Sequence, residues 1–117
     1  MTLDPLELAR LFVSTIADKK GEDVLLLDLR GVSAFTDYFV IGSGTSERQI
    51  RALLDAIRET AKAQHHRRAS SVEGRAEAGW VLADYGDVIV HLFSPDKRAY
   101  YDLEGLWREG KVVVRIQ

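Results

Sequence analysis

The sequence contains no cysteine and no long apolar run, and each absence narrows the kinds of protein that it can encode. Without cysteine there is no disulfide, no thiolate nucleophile and no cysteine zinc site. No stretch approaches the roughly 18 apolar residues that a membrane-spanning helix needs. The N-terminus carries acidic residues instead of the basic and apolar regions of a signal peptide. We therefore expect a soluble, cytoplasmic protein.

The chain also lacks a strong excess of either charge, because its formal net charge is -2 over 117 residues. No global positive field draws it to nucleic acid. The basic segment 65–68 (HHRR) is short and contains no interleaved aromatic residues. We interpret it as a solvated helix end that the helix dipole favours, and we predict no direct sequence-specific binding of nucleic acid.

Recognised catalytic motifs are missing too. The segment 42–46 (GSGTS) follows a predicted strand and opens a helix, a setting in which backbone amides can hold a phosphate. It has neither the lysine of a Walker loop nor the third glycine of a dinucleotide fingerprint. A nucleotidyltransferase would also need paired carboxylates on a nearby strand to hold magnesium, whereas Asp84 and Asp87 flank a predicted turn. We predict that the protein is not an enzyme and that it binds no cofactor and no metal. A nucleotidyltransferase-like nucleotide-binding enzyme is the alternative.

The length of 117 residues predicts a single domain over residues 1–117, and we treat the residues from about 108 as a C-terminal tail. The predicted helices begin at Pro5, after Ser46 and at Pro95. The predicted strands are 24–29, 38–41, 80–84 and 88–93, with shorter ones near 70–74 and 112–114. Leu3 and Leu8 suit a hydrophobic staple, and Gly21 and Gly110 are expected to end the first and third helices. This order predicts an α/β fold with a mixed sheet and helices packed on it.

The most apolar stretch is the segment 79–93, which reads as two strands joined by a tight turn. Period-two alternation directs Trp80 and Leu82 to one face of the sheet and Val81, Ala83 and Tyr85 to the other. Both faces are therefore expected to be covered, one by helices and the other by helix or by another protein. His91 lies among apolar residues with no ligand spacing to the other histidines, so we predict a buried structural histidine.

Three groups of residues, in order, resemble the signatures of the Iojap / ribosomal silencing factor family. The first comprises 37–41 (DYFVI), 43–46 (SGTS), Arg48 and Gln49. The second comprises Glu73, Gly74, 80–84 (WVLAD), 86–91 (GDVIVH) and Phe93. The third comprises Arg98, Tyr101, Leu103, Glu104, Leu106 and Trp107. Together they cover most of residues 5–107, and the tail after Trp107 falls outside the resemblance.

The resemblance implies a function that composition does not reveal. Members of that family bind the large ribosomal subunit through its fourteenth large-subunit protein and sterically block association with the small subunit, which represses translation. A role in large-subunit assembly, homodimers in the free state and a nucleotidyltransferase-like architecture without the catalytic metal site are also implied. Carried over to this chain, the resemblance places Trp80 in the contact with the ribosomal protein, surrounded by Leu82, Tyr85, Asp87 and His91.

Overall fold

The computed structural model describes residues 4–117, which form a six-stranded mixed sheet with helices packed on it. The helices are α1 (Pro5–Asp18), α2 (Glu47–His65), α3 (Pro95–Tyr101) and α4 (Leu103–Leu106). The strands are β1 (Glu22–Asp28), β2 (Tyr38–Ser43), β3 (Ser71–Arg75), β4 (Trp80–Asp84), β5 (Val88–Phe93) and β6 (Lys111–Ile116). This architecture confirms the predicted α/β fold class. The proposed staple between Leu3 and Leu8 lies partly outside the described residues.

The strands follow the order β3-β4-β5-β2-β1-β6 across the sheet. β2 and β5 run parallel, and the other neighbouring pairs are antiparallel. β1 lies between β2 and β6, inside the sheet, which suits its continuous apolar sequence. Helix α2 lies between the parallel strands in the chain because such strands cannot be joined by a short hairpin.

Helices α1 and α2 cover one face of the sheet, and the main core lies beneath them. Phe12 and Ile16 from α1 and Leu53 and Ile57 from α2 are fully buried in this core. Burying each such side chain contributes roughly 1.5–3 kcal/mol of transfer free energy. Side-chain caps stabilise the first turns of both helices, since Asp4 accepts a hydrogen bond from the Leu6 amide and Ser46 accepts one from the Gln49 amide.

The ends of two helices differ from the prediction. Lys20 (φ 67°) takes the left-handed conformation after α1, whereas Gly21 is needed because a Cβ there would lie 2.3 Å from the Ile16 side chain. The third helix ends at Tyr101 and not at Gly110. Asp102 (φ 46°) breaks it, and its carboxylate caps the short α4 by accepting a hydrogen bond from the Gly105 amide. Side-chain capping at Asp102 therefore outweighs the continuous apolar pattern.

The second face of the sheet is covered only in part. Phe39, Ile41 and Phe93 are buried there beneath Leu103, and Trp80 and Trp107 pack at the margin of this smaller cluster. The unequal covering of the two faces leaves an accessible apolar margin on the second face. Within residues 4–117 no helix combines the length and the apolar character that crossing a membrane requires.

Candidate partner-binding surface

The β4–β5 hairpin positions the candidate residues as its alternating pattern predicts. The strands pair antiparallel, with Trp80 opposite Phe93 and Leu82 opposite His91. The turn between them closes where Gly86 adopts a positive φ of 84°. Val81, Ala83 and Tyr85 belong to the core beneath α1 and α2, whereas Trp80 packs against the second cluster. The predicted division of the side chains between the two faces is confirmed.

Trp80 is held by aromatic neighbours on three sides. Its ring stacks on Phe93 at a centroid distance of 4.9 Å and meets Tyr101 at 4.5 Å. The indole Nε1 donates a hydrogen bond of 3.2 Å to Nδ1 of His91. The side chain remains partly exposed. Trp80 therefore presents apolar area in a fixed conformation, which reduces the entropy that a contact would cost.

A shallow depression of about 270 Å³ lies beside the indole, lined by Glu73, Gly74, Trp80 and Leu82. On the other side of Trp80, the apolar area continues through Tyr101, which is 41% exposed, to Tyr100, which is 77% exposed. The two tyrosine rings meet edge to face at 5.1 Å. We refer to Trp80, Leu82, Tyr100 and Tyr101 as the Trp80 surface. The tyrosines are absent from the predicted contact set because only the packing of α3 brings them beside the hairpin.

His91 is buried beneath this surface, with 4% of its area exposed. Its ring meets Phe39 at a centroid distance of 4.6 Å. Burial lowers the pKa of the imidazole to about 4, so the ring is neutral at physiological pH. The structure confirms a buried structural histidine and corrects its placement among the contact residues, because its side chain supports Trp80 from the interior.

Tyr85 also requires a correction. Only 3% of its area is exposed, and its ring packs on Phe12 of α1 at a centroid distance of 4.9 Å. It therefore lies on the helix-covered face, opposite the Trp80 surface, where it cannot join the same contact. Asp87 is exposed in the turn, at the end of the hairpin away from Trp80. Its role in a contact stays a prediction.

Arg98 is the important residue that sequence reasoning did not assign. It is 7% exposed, and its guanidinium donates to the Glu104 carboxylate at 2.7 Å, to the Asp23 carbonyl at 2.6 Å and to the Ser43 hydroxyl at 2.9 Å. These bonds fasten α3 to β1 and β2, and so position Tyr101 beside Trp80. They also account for Ser43 in the Gly-Ser segment, whose side chain points inward to Arg98.

Within the described part of the chain, residues 4–117, no group of three or more histidine or acidic side chains is arranged to hold a metal ion. Asp84 and Asp87 stand at the hairpin turn, as the sequence indicates, and the Asp84 carboxylate accepts a hydrogen bond from the Gly86 amide. Ser46 is engaged as the α2 cap. The geometry therefore defines a small α/β protein whose most organised feature is a rigid aromatic surface supported by a buried histidine.

The comparisons with known proteins identify the family. The family model described as ribosomal silencing factor during starvation matches residues 2–117. The ribosomal silencing factor RsfS of Halalkalibacterium halodurans is 42% identical over 107 residues, which span 92% of this chain and 91% of the relative. The chain belongs to the ribosomal silencing factor family. The matched region includes the segment after Trp107, so the resemblance does not end there, and this segment forms strand β6.

Two further comparisons extend this result. The crystal structure of a Chromobacterium violaceum protein is similar with a TM-score of 0.85 and 31% identity, and covers 96% of this chain and 94% of that one. A mouse protein named mitochondrial assembly of ribosomal large subunit protein 1 is 32% identical over 102 residues, which span 83% of this chain and 43% of the mouse protein. The names of the Halalkalibacterium halodurans and mouse relatives refer to silencing of the ribosome and to assembly of its large subunit, which supports a role in translation regulation.

Proposed function

We propose that this protein binds the large ribosomal subunit in the cytoplasm, through the fourteenth large-subunit protein, and blocks association with the small subunit. Translation is repressed because the two subunits cannot join. The proposal requires no catalysis, since occupation of the joining face is enough. The observation that carries it is Trp80, a partly exposed tryptophan held rigid at the centre of an apolar surface.

The Trp80 surface has the composition of an interface centre. Tryptophan and tyrosine are enriched among the residues that dominate binding energy, and their removal commonly costs 2 kcal/mol or more. Leu82 adds apolar area beside the indole. Two acidic side chains belong to the proposed contact, with Glu73 lining the depression beside this area and Asp87 exposed at the far end of the hairpin. In the proposed complex they face basic groups of the ribosomal protein, which favours correct orientation and fast association.

Two further roles belong to the proposal. The free protein forms a homodimer through the same apolar surface, so that dimerisation competes with binding to the ribosome. A contribution to large-subunit assembly is supported by the printed name of the mouse relative. The relation of the fold to nucleotidyltransferases stays a prediction.

Co-sedimentation with purified large subunits tests the proposal. The wild-type protein is expected to pellet with large subunits and to reduce formation of joined ribosomes on sucrose gradients. Trp80→Ala is expected to weaken binding about 30-fold, the equivalent of roughly 2 kcal/mol at an interface centre. Leu11→Ala is a suitable control, since Leu11 is also a partly buried apolar residue but packs on the helix-covered side.

Circular dichroism and urea unfolding must show that both variants fold. The control is expected to change binding less than twofold. If the wild-type protein stays in the supernatant at low salt and micromolar concentration, the proposed function is wrong. Chemical crosslinking to the fourteenth large-subunit protein, compared with its neighbours, tests the identity of the direct partner separately.

A further inference from the structure

A second depression lies at the C-terminal end of α2, away from the Trp80 surface. Its volume is about 470 Å³, and it is lined by Arg58, Glu59, Lys62, Arg67, Arg68, Ala69 and Tyr85. Tyr85 belongs to the core beneath α1 and α2, whereas Trp80 packs against the cluster on the other face of the sheet. The second depression and the Trp80 surface can therefore be altered independently by substitution.

Positive charge dominates the lining. Four cationic side chains surround the depression together with one carboxylate, that of Glu59. Within residues 4–117, none of the four cations lies within 4.0 Å of an acidic group. Their positive charges therefore remain available to a ligand, while the Arg67 guanidinium also gives one hydrogen bond to the Tyr85 carbonyl. Such a cluster of four cationic side chains is unusual in a chain whose net charge is -2.

The end of α2 brings these cations together. Arg58 and Lys62 lie one turn apart on the same side of the helix. His66 then adopts a left-handed conformation (φ 54°), and the Arg67 amide bonds back to the Ala61 carbonyl, so the chain reverses direction. The Arg67 guanidinium donates a hydrogen bond of 2.8 Å to the Tyr85 carbonyl, which anchors the reversed segment against the hairpin turn.

The buried part of the lining supplies another donor. Only 3% of the area of Tyr85 is exposed. Its hydroxyl has no hydrogen-bond partner among residues 4–117. Burial raises the pKa of this hydroxyl, while the nearby charges of Arg58 and Arg67 act in the opposite direction. The hydroxyl is thus protonated at neutral pH and has a proton to donate. A buried polar group without a partner commonly marks a place that water or a ligand fills.

We propose that this depression binds a phosphate group of an RNA backbone. Three guanidinium groups, one ammonium group and one hydroxyl form a set of donors, and phosphate offers several charged acceptor oxygens in a geometry that guanidinium matches. A free nucleotide is a poorer fit because the only aromatic ring in the lining, that of Tyr85, is buried and offers no face on which a base could stack. The contact would follow the backbone and not the sequence of the RNA.

This site changes the interpretation of the segment 65–68. The sequence alone indicates that this segment is a solvated helix end. In the folded chain the two arginines of the segment lie beside Arg58, Lys62 and the buried hydroxyl of Tyr85. The negative end of the α2 dipole opposes an anion there, but the four cations exceed the half charge of that dipole. The proposal goes beyond the proposed function and does not depend on it, since the phosphate site lies on the other side of the sheet.

Fluorescence anisotropy with a labelled 12-nucleotide RNA tests the site in the full chain. The variant Arg58→Gln/Lys62→Gln/Arg68→Gln removes three cations and leaves the structural bond of Arg67 in place. The variant Arg10→Gln/Arg48→Gln/Arg108→Gln removes the same charge from three other exposed positions. The pocket variant is expected to bind at least tenfold more weakly, and the slope of log affinity against log salt is expected to fall by roughly 0.7, the value for one phosphate contact on a single strand. The affinity of the control variant for the RNA is expected to fall by less than threefold.

Two additional measurements identify the ligand. Tyr85→Phe removes only the hydroxyl and is expected to weaken RNA binding about threefold to tenfold, while Trp80→Ala is expected to leave it unchanged. Competition with inorganic phosphate and with GTP separates the sources, because a backbone site should release RNA only at millimolar concentrations of either. Micromolar competition by GTP would overturn the assignment to RNA. Equal losses in the two triple variants, or no RNA binding by the wild-type protein at 50 mM salt, would overturn the site itself, whatever the outcome with large subunits.

Discussion

Trp80 donates the hydrogen of its indole Nε1 to Nδ1 of His91 across the β4–β5 hairpin, at a distance of 3.2 Å. Because Nδ1 accepts this hydrogen, the neutral imidazole must carry its own proton on Nε2. One polar contact thereby joins the partly exposed Trp80 to the buried core beneath the Trp80 surface. Protonation of Nδ1 would remove the acceptor, so the contact is compatible only with neutral His91.

The burial of His91 makes stability depend on pH in a defined direction. Burial lowers the pKa of His91 from 6.5 to about 4 in the folded protein, so below pH 6.5 the unfolded chain binds a proton that the folded chain does not. The contribution to stability is complete above pH 6.5 and is lost as the pH falls toward 4. We expect the free energy of unfolding to drop by up to about 3 kcal/mol over this interval from His91 alone. Urea unfolding at a series of pH values measures this fall in the free energy of unfolding.

His91→Gln supplies the comparison for this prediction. Glutamine is uncharged throughout the interval, so the variant should be less stable at pH 7 but should show a flatter dependence between pH 6.5 and 4.5. Other titrating groups are common to both proteins and cancel in the difference. An identical slope in the two proteins would show that His91 does not titrate as the burial indicates.

The unpartnered hydroxyl of Tyr85 leads to a second prediction. A buried hydroxyl without a hydrogen bond is a cost to the folded state, and its removal also leaves the ring contact with Phe12 in place. Tyr85→Phe is therefore expected to leave stability unchanged or to raise it by up to about 1 kcal/mol. Tyr85→Ala, which removes the ring as well, should cost about 3–5 kcal/mol. A loss above 1 kcal/mol for the phenylalanine variant in urea unfolding would mean that the hydroxyl has a partner.

The hairpin shows why part of this structure could be predicted. The bounds of β4 and β5 agree with the sequence because alternation, β-branched residues and a turn glycine are all local signals. The separation of Trp80 from Tyr85 follows from the same period-two geometry. The alternation does not say which apolar face the helices cover, and the contact role of Tyr85 rests on the family resemblance alone, whereas its ring packs on Phe12 in the core.

Long-range contacts account for most of what could not be predicted. Arg98 bonds to the Asp23 carbonyl 75 residues away and to Ser43 at a separation of 55, so no local pattern indicates its burial. The position of Tyr101 beside Trp80 depends on those bonds. Gly21 likewise looks like a helix terminator, whereas its actual constraint is the closeness of the Ile16 side chain. In each case the deciding contact exists only in the folded chain.

Arg98 itself provides a third prediction. Replacement by methionine keeps the length of the side chain but leaves Glu104 without its 2.7 Å partner, and Ser43 and the Asp23 carbonyl without a donor. Breaking a buried charged pair on one side commonly costs about 3–5 kcal/mol, and the value should lie near the lower limit because Glu104 is 29% exposed. Arg108→Met, at an exposed position, is expected to change stability by less than about 0.5 kcal/mol. Thermal or urea unfolding measures the stability of the two variants. Equal stabilities would contradict the structural role of Arg98.

Gly74 and Gly86 provide a matched pair for the last prediction, because both adopt a left-handed φ, of 87° and 84° respectively. A Cβ on Gly86 would meet nothing within 4 Å, so Gly86→Ala carries only the backbone strain of about 1–2 kcal/mol. A Cβ on Gly74 would lie 2.3 Å from the Trp80 carbonyl oxygen, which belongs to the paired strand and cannot move without separating β3 from β4. Gly74→Ala is therefore expected to cost at least about 2 kcal/mol more than Gly86→Ala in urea unfolding. It should also shift the fluorescence of Trp80, because β3 borders the depression beside the indole. Equal costs for the two substitutions would indicate that β3 is not held against β4 as described.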